Sequence, residues 1–190
     1  MNFPNILTLS RIFLTLIFAA VIHIKDTGGT LWSIFFFALA SLTDLVDGYW
    51  ARKYNLITSF GKIMDPIADK CLILTAMFLF SYEGLIPVWM VMLIAIREIL
   101  VTAFRIHAIT RGQVLEAESA GKIKTVFQMS TVSIILLYRF FVVWPLTAGA
   151  VKSVDFILVL IINLFMIGAT ALTLWSGFSF FRNNKNWQES

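Results

Sequence analysis

Hydrophobic and polar positions along this chain fall in long blocks. Six apolar stretches run at roughly 6–24, 31–51, 63–82, 85–108, 121–143 and 152–178. Each is near the ~20 residues that an α-helix needs to cross the hydrocarbon core of a bilayer. The breaks between them carry turn residues: Gly28-Gly29, Glu83-Gly84 with Pro87, Arg111-Gly112 and Trp144-Pro145. Pro4-Asn5 opens the first stretch, which carries Arg11 and no clear small-residue cleavage site, so it reads as retained. No soluble domain, linker, repeat or low-complexity run is visible. The pattern predicts an all-α integral membrane protein of six transmembrane helices, a single domain over 1–190.

Composition agrees with that setting. The chain is 59% hydrophobic and 14% charged, with a mean hydropathy of +0.85. A single cysteine, Cys71, rules out an intrachain disulfide, and nothing near it reads as a zinc site. The net charge of +4 points to basic membrane edges and anionic ligands, with no nucleic-acid partner. The basic residues segregate. Arg52, Lys53 and Lys62 flank the second connection, Arg105, Arg111, Lys122 and Lys124 the fourth, and Arg182 and Lys185 the C-terminal end. The other side has Lys25, Arg139 and Lys152. The positive-inside rule places the first group, and both termini, in the cytoplasm.

Polar residues inside the apolar blocks carry the chemistry. Asp44-x-x-Asp47-Gly48-x-x-Ala51-Arg52 is followed, after eight residues, by Gly61-x-x-x-Asp65-x-x-x-Asp69. A carboxylate at the centre of a membrane helix costs about 2.5–3.5 kcal/mol on insertion scales. Four of them demand compensation, for which divalent cations are the obvious source. Asp44 and Asp47 stand three residues apart, and Asp65 and Asp69 four, so each pair shares a helix face. Facing pairs of hard oxygen ligands suit one or two Mg²⁺ or Mn²⁺ ions, and such ions neutralise pyrophosphate. Arg52 adds a planar phosphate donor. Gly48, Ala51 and Gly61 let a ligand or a second helix come close to the backbone.

Plainer readings stand beside each part. Asp65-Pro66 has the form of a helix N-cap with proline at the first helical position. Asp44 and Asp47 have Arg52 and Lys70 as candidate ion-pair partners, and the glycines suit simple helix packing. A divalent-cation transporter would also carry membrane aspartates, but the Gly and Ala-Arg spacing has no transport rationale.

At these residues the chain resembles the CDP-alcohol phosphatidyltransferases, whose signature D-x-x-D-G-x-x-A-R, eight residues, G-x-x-x-D-x-x-x-D it matches without departure. The likeness spans nearly the whole chain. Within that family it is most similar to the bacterial subgroup that takes glycerol 3-phosphate. The similar residues are Asn5-Ile6-Leu7-Thr8 with Arg11, Asp65-Pro66-Ile67-Ala68-Asp69-Lys70, Arg97-Glu98-Ile99 with Arg105, and Gly121-Lys122-Ile123-Lys124-Thr125 with Gln128.

The resemblance implies roles. Asp44, Asp47 and Asp65 would be the principal metal ligands. Asp69 would reach the metal and act as general base. Gly48 and Arg52 would contact the donor CDP-diacylglycerol, with Thr58, Asn5 and Thr8 lining the same site. The acceptor would be sn-glycerol 3-phosphate, and the products phosphatidylglycerophosphate and CMP. Other acceptors within the family, phosphatidylglycerol or an inositol phosphate, remain alternatives. The resemblance further implies a homodimer among membrane lipids, multi-pass in a bacterial cytoplasmic membrane, its polar metal-binding cavity facing the cytoplasm.

A phosphate-bearing acceptor needs cations. Arg97, Arg105, Arg111, Lys122 and Lys124 are the candidates, against a plainer role in topology and anionic-lipid contact. Arg97 lies within an apolar stretch, two helical turns from Arg105, and Glu98 is a ready partner for a basic group. Lys122 and Lys124 point in different directions on an ideal helix. His107 reads as a structural histidine. Trp144, Trp175 and Trp187 read as interface anchors.

Overall fold

The computed structural model describes the backbone of residues 3–54, 59–111 and 119–184, and the side chains of 7–43, 64, 66–108, 110–111 and 121–184. The described residues form six helices and no strands: α1 (Phe3–Val21), α2 (Thr27–Tyr54), α3 (Ser59–Tyr82), α4 (Val88–Thr110), α5 (Ser119–Val143) and α6 (Ala148–Asn183). These helices fall on the six apolar stretches. Among the described residues two are long and apolar enough to cross a membrane, within Gly121–Val143 and Ala148–Asn183. At ~1.5 Å per residue α6 is about 54 Å long, well beyond a ~30 Å hydrocarbon core.

One local expectation is corrected and one plainer reading falls. Gly28-Gly29 does not separate helices, because both glycines lie in the first turn of α2. The break comes earlier, where Asp26 Oδ1 accepts from the Gly29 N–H at 2.6 Å and so caps the helix. Likewise Asp65-Pro66 is not a helix start. α3 begins at Ser59 and Pro66 lies inside it, at the cost of the hydrogen bond that its missing N–H would give to Lys62. The turn at Glu83-Gly84 is as expected. Gly84 has φ +78°. The Leu85 N–H reaches the Phe80 carbonyl and the Gly84 N–H that of Ser81, both at 3.0 Å, which closes α3 in a Schellman motif.

The core runs down the bundle axis. α3 supplies Leu72, Ile73, Ala76, Met77 and Phe80, all buried at helical spacing. Phe18 of α1 and Ile22 just beyond it, Phe37 and Ala40 of α2, Val91 and Ile94 of α4, Val132 and Ile135 of α5, and Met166 and Ala169 of α6 pack around them. α1 lies mainly against α2 and α3, and α6 against α5 and α4. The outward faces are apolar as well, with Phe13, Trp32, Phe35, Phe156, Trp175 and Phe178 exposed. An apolar exterior around an apolar core is the distribution a lipid solvent permits.

One end of the bundle is tied by polar contacts. Arg139 donates to Glu83 at 2.5 Å and to the carbonyl of Ile22 at 2.7 Å. The Tyr138 hydroxyl donates to Asp155 at 2.7 Å. These bonds join the ends of α1, α3, α5 and α6. They leave the other end, where α2 meets α3 and α4 meets α5, for the polar site.

Candidate functional site

The signature residues stand on the last turns of α2 and the first turns of α3. Asp44, Asp47, Gly48 and Arg52 belong to α2 and Asp65 to α3 by backbone. Their side chains, and that of Asn5 on α1, lie outside the described residues, as does Thr58 entirely. Asp69 is described. It lines a cavity of about 170 Å³ together with Arg11 of α1, Ala40 and Ser41 of α2, and Thr125 and Met129 of α5. Asp44 follows Ala40 by one helical turn, and Asp65 precedes Asp69 by one. The register therefore sets the four aspartate positions at the same end of the bundle, on helices that flank one opening. Thr8 is fully buried on α1, close in sequence to Arg11, which is 1% exposed.

The aspartate set suits a hard divalent cation by its donor chemistry, four carboxylates with no thiolate or imidazole. Among the described residues no group of three or more His, Cys, Asp and Glu side chains is found; of the four aspartates, Asp69 is the one with a described side chain.

A second, larger cavity of about 840 Å³ adjoins the first. Thr125 and Met129 wall both. Its polar end is formed by Lys70 of α3, Arg97 and Arg105 of α4, and Lys122 and Lys124 of α5. Four of the five predicted acceptor cations thus converge on one space. Lys122 and Lys124 both line it, although an ideal helix points them apart; the α5 lining runs from Gly121 to Leu137. Arg111 lies beyond α4, exposed, and is not among the lining residues.

Glu98 organises these charges. Its carboxylate is 2% exposed. Lys124 Nζ makes a short ion pair with Oε1, Arg97 Nη1 lies 3.3 Å from the same oxygen, and Lys70 Nζ is 3.6 Å from Oε2. Gln128 Nε2 stands at 3.5 Å from Oε1 and donates to Thr173 Oγ1 at 3.0 Å. A carboxylate buried this deeply is stable only because it is paired. Lys70 also donates to Asp69 Oδ2 at 2.7 Å. The predicted partner of Asp44 or Asp47 thus spans Asp69 and Glu98, and links the aspartate end of α3 to the cation cavity.

Sequence reasoning missed the contribution of α6. Ser176 Oγ accepts from Arg97 Nη2 at 2.6 Å, and Thr173 accepts from Gln128. Both are fully buried. The available signal was a hydroxyl at four-residue or three-residue spacing in an otherwise apolar helix, which simple helix packing explains equally well.

The site thus sets Asp69 beside a cavity into which Lys70, Arg97, Arg105, Lys122 and Lys124 converge. Comparison with known proteins decides the family. The CDP-alcohol phosphatidyltransferase profile matches residues 1–175. The chain belongs to the CDP-alcohol phosphatidyltransferase family. Members of this family generally depend on a divalent metal. A Bacillus subtilis (strain 168) protein named CDP-diacylglycerol–glycerol-3-phosphate 3-phosphatidyltransferase is 36% identical over 98% of this chain and 96% of its own length. A Rickettsia felis protein of the same name is 33% identical over 98% of this chain and 97% of its own. One from Wigglesworthia glossinidia brevipalpis, named likewise, is 33% identical over 68% of this chain and 73% of its own.

Proposed function

We propose that this CDP-alcohol phosphatidyltransferase moves a phosphatidyl group from CDP-diacylglycerol to sn-glycerol 3-phosphate, giving phosphatidylglycerophosphate and CMP. The observation that carries the choice of acceptor is the cavity in which Lys70, Arg97, Arg105, Lys122 and Lys124 meet beside Asp69. A glycerol carrying a phosphate dianion is small, anionic and in need of such donors. The names of the relatives agree with this reading. In it the chain is one domain over 1–190 with six transmembrane helices, set in a bacterial cytoplasmic membrane with the site toward the cytoplasm, and it works as a homodimer.

Asp44, Asp47, Asp65 and Asp69 would hold Mg²⁺ or Mn²⁺, which when bound supplies positive charge beside the donor's pyrophosphate. Gly48 leaves room for the cytidine diphosphate and Arg52 donates to it, with Thr58, Asn5 and Thr8 completing that wall. The donor's acyl chains stay in the bilayer. Arg97, Arg105, Lys122 and Lys124 grip the acceptor phosphate, with Arg111 near the cytoplasmic entrance, and so orient its free primary hydroxyl. That hydroxyl oxygen attacks the phosphorus bonded to the diacylglycerol oxygen. A new P–O bond forms, the bond to the bridging oxygen of CMP breaks, and CMP leaves with the electron pair. Asp69 accepts the hydroxyl proton in the transition state, where a well-placed carboxylate suffices as base. Lys70, bonded to Asp69 and near Glu98, fixes the Asp69 carboxylate against the acceptor side.

Purified protein given CDP-diacylglycerol, metal and a panel of acceptors tests the proposal. Release of CMP with glycerol 3-phosphate, and a product of the mass of phosphatidylglycerophosphate, is expected. Turnover of phosphatidylglycerol or an inositol phosphate, with none of glycerol 3-phosphate, would move the assignment to another acceptor. No CMP release with any acceptor would overturn it.

A further inference from the structure

Helix α6 reads as apolar throughout, yet it buries a narrow stripe of small and hydroxyl residues that includes Thr173, Ser176 and Gly177. Arg97 of α4 lies across that stripe. A methyl group built on Gly177 would stand 2.9 Å from Arg97 Cγ and 3.1 Å from Nε. The bare backbone at Gly177 is therefore the space through which the arginine stem passes. The far end is fixed as well. Nη2 donates to Ser176 Oγ at 2.6 Å and Nη1 lies 3.3 Å from Glu98 Oε1. The guanidinium is planar, so contacts on two of its nitrogens set the direction of the whole fork. Its side chain lines the 840 Å³ cavity with Arg105 and Lys124.

We propose that the Ser176–Gly177 step of α6 is a positioning element that aims Arg97 into the cavity and thereby favours acceptors that carry a phosphate. This rests on the reading that Arg97 binds that phosphate. Ser176 and Gly177 act through Arg97. Gly177 removes the obstacle that any side chain would present, and Ser176 removes the rotational freedom that a long arginine otherwise keeps. Bidentate recognition of a phosphate depends on the direction of the fork, so a small turn of Arg97 loses more affinity for a phosphate than for a neutral alcohol. Helix packing alone would also place glycine at a close α4–α6 approach. The two roles differ in what happens when Arg97 is absent.

The test uses the full-length enzyme with CDP-diacylglycerol and metal, and compares Ser176→Ala, Gly177→Ala, Arg97→Ala and the two doubles with Arg97→Ala. Each single α6 variant is expected to raise the KM for glycerol 3-phosphate about 10-fold, the size of one lost charge-assisted hydrogen bond. The KM for CDP-diacylglycerol should stay within about twofold, and neither α6 change should add to the loss caused by Arg97→Ala. Ser176→Ala deletes one oxygen and adds no bulk, so it serves even if Gly177→Ala disturbs folding. Equal rises in both KM values, or full additivity in the Arg97→Ala background, would overturn the proposal. If the α6 variants change nothing while Arg97→Ala raises the acceptor KM, the positioning role fails and the acceptor reading survives. If Arg97→Ala leaves the acceptor KM unchanged, Arg97 does not bind the phosphate and both fall.

Discussion

Replacing Glu98 with alanine removes the carboxylate around which the buried cations are arranged. Glu98 is 2% exposed, and the Lys124 side chain paired with it is 6% exposed. Arg97 at 3.3 Å and Lys70 at 3.6 Å add to the positive charge around it. Deleting one member of a buried ion pair costs roughly 3–5 kcal/mol, since the remaining charge stays desolvated. Lys70 contributes less, because its side chain is 21% exposed and it keeps its 2.7 Å bond to Asp69. For a chain of this size each kcal/mol moves the unfolding midpoint by about 2–4 °C, so Glu98→Ala should lose about 6–20 °C. The assay is the fraction of monodisperse protein left after heating in one fixed detergent, read by size exclusion. Glu98→Gln, which keeps the shape and loses the charge, should fall between wild type and alanine. Glu98→Ala with Lys124→Met should regain most of the loss, because both charges vanish together. A Glu98→Ala midpoint within about 2 °C of wild type would refute the reasoning. So would a double variant as unstable as the sum of its parts.

Three further outcomes are expected. Asp44→Asn or Asp65→Asn should abolish CMP release while circular dichroism stays helical, chelation of wild type should do the same, and Mg²⁺ or Mn²⁺ should restore it; full turnover in metal-free buffer would contradict the metal assignment. Asp69→Asn should lose single-turnover chemistry yet keep much of its donor affinity, and near-normal chemistry would remove Asp69 as the base. Arg105→Ala should raise the KM for glycerol 3-phosphate by about 10- to 100-fold, as loss of a charge-assisted bond requires. Glycerol itself should be a poor acceptor that Arg105→Ala hardly affects, and equal losses with both acceptors would point to general disruption.

The six helices were legible because long apolar blocks separated by turn residues leave little choice but helix. The helix ends were less so. Gly28-Gly29 has the composition of a break, but the Asp26 carboxylate captures the Gly29 N–H and starts α2 ahead of it. Asp65-Pro66 imitates a helix start, but the chain is already helical from Ser59, and a proline inside a helix is tolerated in a packed membrane bundle. The cations of the larger cavity were legible one by one, since charges in apolar blocks need a reason. The convergence of Lys70, Arg97 and Lys124 on Glu98 depends on how α3, α4 and α5 pack, which no linear spacing encodes. Ser176 and Gly177 were invisible for a different reason. Small residues in a membrane helix usually mean close packing, and nothing in the sequence names Arg97 as what they accommodate.

The most direct measurement follows an oxygen atom. Glycerol 3-phosphate carrying heavy oxygen in its free primary hydroxyl is given to purified enzyme with unlabelled CDP-diacylglycerol and metal, and both products are weighed by mass spectrometry. Attack by that hydroxyl oxygen on the diacylglycerol-bearing phosphorus places the label in the lipid product and leaves CMP unlabelled. Label in CMP, an unlabelled lipid product, or no lipid product dependent on glycerol 3-phosphate would contradict the account.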